Sequence, residues 1–375
     1  MVPVFQKLLL FTIILAAASP MFAQNNYIVF HPQQKGSIVR IYIDRHGNVY
    51  PPHVNIDSTK FGAISRKNAE YADLKAYCLK YDTATYRLLL AENSVADFSQ
   101  LQDKLVRDIA ARVNLELDKT QSGKLIVLVH GFNEYAERPF DTLLGAIDGH
   151  TGGNFVCLEV FWDGLKAYTE APGDVFKIWF RANRTAPYAA MTLRKLFTYI
   201  SDKAQLYVIT HSLGACVGTR LLFNTRERRR FPYTTEWKNT PTPHQSSITL
   251  AMLAPAIAGK RVFHCVNNRV PRTNDNKLTN LGKVVVGYNK YDYATTKSMR
   301  FPLSRMFRAT SLGCDPSEVR RTQRVLHRLS PSLSFRPVDF TNDEIRHRAH
   351  RIHHISSYIA RKEDFEKFLT ATFGH

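Results

Sequence analysis

Ser212 stands in Thr210-His211-Ser212-Leu213-Gly214-Ala215, between an apolar run, Leu206 to Ile209, and a stretch where Val217, Leu221 and Leu222 recur at helical spacing. That succession predicts a strand, a sharp turn and a helix. A turn this tight forces its central residue into a strained backbone conformation and tolerates only small neighbours. Gly214 and Ala215 supply that room. The strain lifts the Ser212 hydroxyl to a helix N-terminus, where the peptide dipoles favour developing negative charge. The chemistry this serves is nucleophilic attack on an acyl carbon. Thr210 occupies the place where the G-x-S-x-G pattern has its first glycine, and a Ser capping an ordinary strand-to-helix turn is the plainer alternative.

Acyl transfer also needs a base for the hydroxyl proton, a carboxylate to orient that base, and donors for the oxyanion. His130-Gly131-Phe132-Asn133 follows the apolar run Lys124 to Val129. There Gly131 lets the backbone approach a substrate, and the Phe132 amide pairs with that of Leu213 as an oxyanion hole. His130 itself reads as a structural hydrogen-bonding residue.

The stretches LIVLVHGFN, VFWDG and YVITHSLGA together resemble the α/β-hydrolase superfamily. Within it, the likeness is to a group of largely uncharacterised bacterial serine hydrolases with a VHGFN-like strand end and an A-H-S-M-G-like elbow. It covers the chain from about Lys124 to the C-terminus. The resemblance implies the chain order nucleophile, acid, histidine. Asp292, in Tyr288-Asn-Lys-Tyr-Asp-Tyr-Ala294, resembles the family's acid-bearing loop and is the expected acid. Ala256 stands where some relatives carry an acid and cannot serve. Asp163 follows the wrong strand, and Asp315 falls in a loop with no assigned place. Ile352-His-His-Ile-Ser-Ser-Tyr358 resembles the family's terminal loop, so among His347, His350, His353 and His354 the expected base is His354, with His353 second. A solvated His-rich turn is the alternative, and no carboxylate or Cys spacing supports a metal.

Several elements must hold these residues. Tyr27 to Phe30 and Ile38 to Ile43 read as strands, with Asp44-Arg-His-Gly-Asn48 turning back toward Val49-Tyr50 as a hairpin. Phe98, Leu101, Leu105, Ile109 and Val113 align on one face of a helix between Asp97 and Leu117. Lys124–Val129 and Phe155–Trp162 read as strands buried on both faces, and Ile248–Ala254 and Lys283–Gly287 as further strands. Leu193, Leu196 and Ile200 mark a helix, and Glu363 to Leu369 a final one. Strands alternating with helices predict an α/β fold of the α/β-hydrolase kind, with a mostly parallel central sheet whose ligands sit beyond the strand C-terminal ends. The expected division is a leader over 1–23, an N-terminal extension over 24–120 and a hydrolase domain over 121–375. Lid-like insertions are expected near 224–245 and 259–280, where Phe231, Tyr233, Trp237 and Phe263 would suit an apolar acyl chain or could equally be packing residues.

The chain has 375 residues and a formal net charge of +19, with basic stretches at Arg226–Arg230 and Arg346–His354. Such a surface could attract an anionic partner such as acidic lipid headgroups, but a solvated basic face that aids solubility is the plainer reading, and no nucleic-acid-binding motif accompanies it. The leader, with Lys7, the apolar run Leu8 to Ala18 and Met21-Phe22-Ala23, implies export to the periplasm or medium, with an uncleaved N-terminal anchor as the alternative. No later stretch is long and apolar enough to span a bilayer. The five cysteines lack a zinc or disulfide-framework spacing, although Cys265 and Cys314 could pair. The expected activity is therefore hydrolysis of a small-molecule or lipid ester by Ser212, Asp292 and His354 without a cofactor. A non-catalytic binding protein on the same scaffold is the competing expectation.

Overall fold

The structure is a computed structural model describing residues 28–29, 37–51, 73–81, 83–87, 95–132, 140–163, 172–223, 240–260, 262–263, 280–300, 310–342 and 353–374. The leader expected over 1–23 lies outside the described residues, as do His347, His350, Cys265, Phe231, Tyr233, Trp237 and most of both expected insertions.

Among the described residues runs one eight-stranded sheet: β1 (Ile28–Val29), β2 (Ser37–Tyr42), β3 (Lys124–Val129), β4 (Val156–Phe161), β5 (Gln205–His211), β6 (Ser247–Leu253), β7 (Leu281–Tyr288) and β8 (Ser334–Asp339). Their order across the sheet is β1-β2-β4-β3-β5-β6-β7-β8. Only the β1–β2 pair is antiparallel; every other neighbouring pair is parallel. This is the α/β architecture with a mostly parallel sheet that the alternating pattern predicts. Because β2 pairs with β4, the segment before residue 121 contributes to the same sheet as the site.

The near-continuous apolar runs are explained by two cores. Along β3, Leu125, Val127 and Val129 face one cluster, while Ile126 and Leu128 face the other. On the first side lie helices α2 (Val95–Thr120), α4 (Pro172–Phe197), α5 (Gly214–Leu222) and α7 (Pro316–Leu329), contributing residues such as Ile109, Leu193, Val217 and Leu326. On the second side lie α1 (Leu74–Tyr81), α3 (Asp141–Thr151), α8 (Ile355–Ile359) and α9 (Lys362–Phe373), contributing Tyr77, Leu144, Tyr358 and Phe368. Helix α6 (Tyr293–Arg300) follows β7. Apolar clusters cover both faces of the sheet, which is why a central strand carries little polar alternation.

The turn after β2 closes on a single antiparallel bridge between Ile43 and Val49 rather than on a regular ladder. The buried Asp44 carboxylate accepts from the amides of His46, Asn48 and Leu74, so it shapes the turn and caps α1 together. No described helix is long and apolar enough to cross a membrane.

Candidate active site

The end of β5 and the start of α5 enclose Ser212, whose φ of 51° is a left-handed conformation costly for any residue with a side chain. The neighbouring strand holds it there. The Ser212 amide donates to the Leu253 carbonyl at 3.0 Å, and the Ser212 carbonyl accepts from Ala256 at 2.9 Å. Ala254, between these two contacts, is itself at φ 48°. A side chain at Gly214 would put its Cβ 2.4 Å from the Val129 carbonyl oxygen and 2.5 Å from that of His130, so only glycine fits beneath the turn. Thr210 is accommodated by a second glycine: a Cβ at Gly218 would lie 2.7 Å from the Thr210 methyl. The Thr210 methyl occupies the space that a side chain at position 218 would need.

Three side chains from distant parts of the chain meet at this turn. Ser212 Oγ lies 2.8 Å from His353 Nε2. His353 Nδ1 lies 3.0 and 2.9 Å from the two oxygens of Asp292. In a neutral imidazole with this environment, Nδ1–H donates to the carboxylate and the Nε2 lone pair faces the hydroxyl. The imidazole against Ser212 is thus that of His353, and the expectation of His354 is corrected. His354 is the N-cap of α8, with ψ of 144°, and its side chain is exposed. Extended backbone at a cap turns its side chain away from that of the preceding residue, so only one of two adjacent histidines can enter the site.

Asp292 lies just after β7, at the same C-terminal strand end of the sheet as Ser212, and is fully buried. Its Oδ1 accepts from the amide and hydroxyl of Thr295 at 2.8 and 2.9 Å, and its Oδ2 from the Tyr358 hydroxyl at 2.6 Å. Burial pushes its pKa up, but the pairing with His353 and the donors from Thr295 and Tyr358 outweigh that and hold it below the ordinary carboxylate range. The carboxylate is therefore ionised and directed. Burial, and then the adjacent charge of Asp292, push the Tyr358 phenol well up, so it remains a donor.

Gly131 runs directly against Ser212: a Cβ there would lie 2.8 Å from Ser212 Cβ. Phe132 and Leu213 follow these two residues in the chain, so the contact brings both backbone segments to one side of Ser212. Phe132 packs edge-on to Trp179 at 5.0 Å between ring centroids. His130 is structural, its Nδ1 facing the Gly131 carbonyl at 2.6 Å and its Nε2 accepting from the Trp162 amide.

The remaining candidates have other places. Asp315 caps α7 by accepting from the Ser317 amide. Asp163 is buried at the end of β4, where its carbonyl accepts from Thr185. Phe263, for which a lid role and a packing role were both open, is buried against Phe223 at 5.0 Å between ring centroids. Cys314 is a free buried thiol whose pKa burial pushes up to about 12. Among the described residues, no cluster of His, Cys, Asp and Glu has a metal-holding arrangement. Two neighbours of the site were not singled out from the sequence as functional. Tyr358 entered only as part of the terminal-loop likeness. His211, a polar residue at the end of a buried strand, carries a signal of its own in that placement.

No protein-family model and no curated protein sequence matches the chain. Among solved structures, it is similar to an acetyl ester-xyloside bifunctional hydrolase from Caldicellulosiruptor lactoaceticus at 11% identity, over 65% of this chain and 82% of that one, with a TM-score of 0.27. A likeness that low leaves the site's own geometry to carry the functional reading.

Proposed function

We propose that the chain is a serine hydrolase that cleaves a carboxylic ester or related acyl bond. One observation carries this reading: the Ser212 hydroxyl, the His353 imidazole and the Asp292 carboxylate are joined in series, at 2.8 and then 2.9 Å, around a strained strand–helix turn. In the proposed reaction Ser212 Oγ attacks the acyl carbon as its proton passes to His353 Nε2. The resulting imidazolium is stabilised by the ionised Asp292. The oxyanion is held by the amides of Phe132 and Leu213, the second at the N-terminus of α5. Collapse breaks the bond to the leaving alcohol, which takes the proton from His353. Water then releases the acid by the same steps in reverse, and Ser212 regains its proton.

The test is labelling of the purified full chain by a fluorophosphonate probe, with turnover of a panel of activated esters. Wild type is expected to label and turn over. Ser212→Ala should lose labelling and, on the order of 10⁵- to 10⁶-fold, kcat. A folded wild-type protein that neither labels nor hydrolyses any ester overturns the reading in favour of a binding protein on this scaffold.

A further inference from the structure

The hydrogen bonds around the proposed base show a second connection to the nucleophile's own strand. His211, the residue immediately before Ser212, is 2% exposed, and its Nε2 lies 2.7 Å from the main-chain carbonyl oxygen of His353. A carbonyl oxygen can only accept, so Nε2 of His211 carries the proton and donates. The two imidazole rings sit 5.0 Å apart and tilted by 39°.

We propose that His211 is a positioning residue for acyl transfer, its Nε2–H holding the His353 main chain so that the His353 ring can meet Ser212 and Asp292 together. This rests on the serine-hydrolase reading of the same site. The geometry argues for it as follows. His353 belongs to neither a strand nor a helix; it precedes the cap of α8, a helix of only five residues. Its ring is fixed at one end by Asp292, 61 residues earlier in the chain. A ring held at Nδ1 alone still swings if its own backbone shifts, carrying Nε2 out of line with Ser212. The bond from His211 removes that freedom by fixing the carbonyl on the same residue. Its donor belongs to the elbow itself, so strand end and base loop keep their spacing as one unit. A displacement of about 1 Å between reacting groups costs roughly 100-fold in rate, so a single such bond has leverage on kcat. It touches no atom of the substrate.

The experiment compares His211→Ala and His211→Gln with wild type in fluorophosphonate labelling rate, kcat and KM on an activated ester, and thermal midpoint. Gln can place an amide N–H near the position of Nε2; Ala cannot. The expected result for His211→Ala is a kcat and a labelling rate down roughly 10- to 100-fold with KM changed less than about threefold. His211→Gln should recover most of the loss. The proposal is overturned if His211→Ala labels as fast as wild type, or if Gln falls as far as Ala while folded. Should Ala fail to fold, Gln alone decides: near-wild-type labelling supports the proposal, and an Ala-like loss of 10-fold or more overturns it. Wild type that labels while the variants show no kcat effect removes only the role of His211. Wild type that does not label removes the hydrolase reading, and this proposal with it.

Discussion

Asp292 is a buried carboxylate kept charged, and the cost of that burial is met by donors from three other residues. Desolvation alone would protonate it; His353, Thr295 and Tyr358 reverse the balance. The sign of the linkage follows. A carboxylate whose folded pKa lies below its ordinary value of 3.8 contributes stability above that value and loses it as pH falls through the lower, folded one. Tyr358→Phe removes the 2.6 Å donor from Oδ2. Its urea midpoint should therefore fall below wild type by an amount equivalent to about 1.5–3 kcal/mol near pH 7, with the difference shrinking as pH drops below about 4. Activity should fall about tenfold, since the same oxygen orients His353. A pH-independent difference between the two midpoints would argue against this account. The places of Ser212 and Asp292 in the site were legible in the sequence, Ser212 by small residues after an apolar strand and Asp292 by the resemblance of its loop, after another strand, to the family's acid-bearing loop. The choice between His353 and His354 was not. Both precede the same short helix, and which ring turns inward depends on a cap ψ of 144° that neighbouring residue types do not specify.

The elbow works because β5 and α5 pack closely, and two glycines are what lets them. Gly214→Ala would drive a Cβ into the Val129 and His130 carbonyl oxygens, backbone atoms that cannot swing aside. It should destabilise by about 1–3 kcal/mol or more and shift Ser212 out of reach of His353; urea unfolding and probe labelling would show both losses. The close approach of position 218 to Thr210 predicts a coupling. Gly218→Ala places its Cβ 2.7 Å from the Thr210 methyl, whereas Thr210→Ser removes that methyl. A double-mutant cycle on urea stability should show Gly218→Ala costing about 1–2 kcal/mol less in the Thr210→Ser background; additivity would refute the steric coupling. At this scale the buried strands were readable, because β3, β4, β5, β6 and β7 are apolar on both faces. Strand β8 was not, since its Arg336 and Pro337 are exposed at the edge of the sheet. Helix α7 was also passed over, although Asp315, Pro316 and Glu318 carry a start signal: Asp315 caps it with proline in the first turn.

Across the whole molecule, the site is assembled from β5, the loop after β7 and the segment before α8, so its integrity depends on how the C-terminal region is docked. The distance in sequence between Ser212 and His353 is 141 residues, and nothing local spans it. For the same reason the N-terminal region could not be seen from the sequence to enter the sheet: the β2–β4 pairing joins residues 119 apart. What seats the C-terminal region is apolar. Phe340, Phe365 and Phe368 are buried with Tyr358 in the second core, and Phe340 packs edge-on to Tyr358 at 5.0 Å. A Cβ on Gly287 of β7 would lie 2.9 Å from Phe340 and 3.4 Å from Phe368, which shows how closely both rings cover that strand. Phe368→Ala should cost about 3–5 kcal/mol, because the rings around it cannot collapse fully into the space left. The loss falls on α9, next to the helix that follows His353, and therefore on the docking of the base rather than on β5 or Asp292. Labelling of Ser212 by a fluorophosphonate should then fail at a lower urea concentration than the loss of far-UV circular dichroism, the two transitions coinciding in wild type. If both curves move together in the variant, the C-terminal region unfolds with the sheet as one cooperative unit, and the separate docking of the base is refuted.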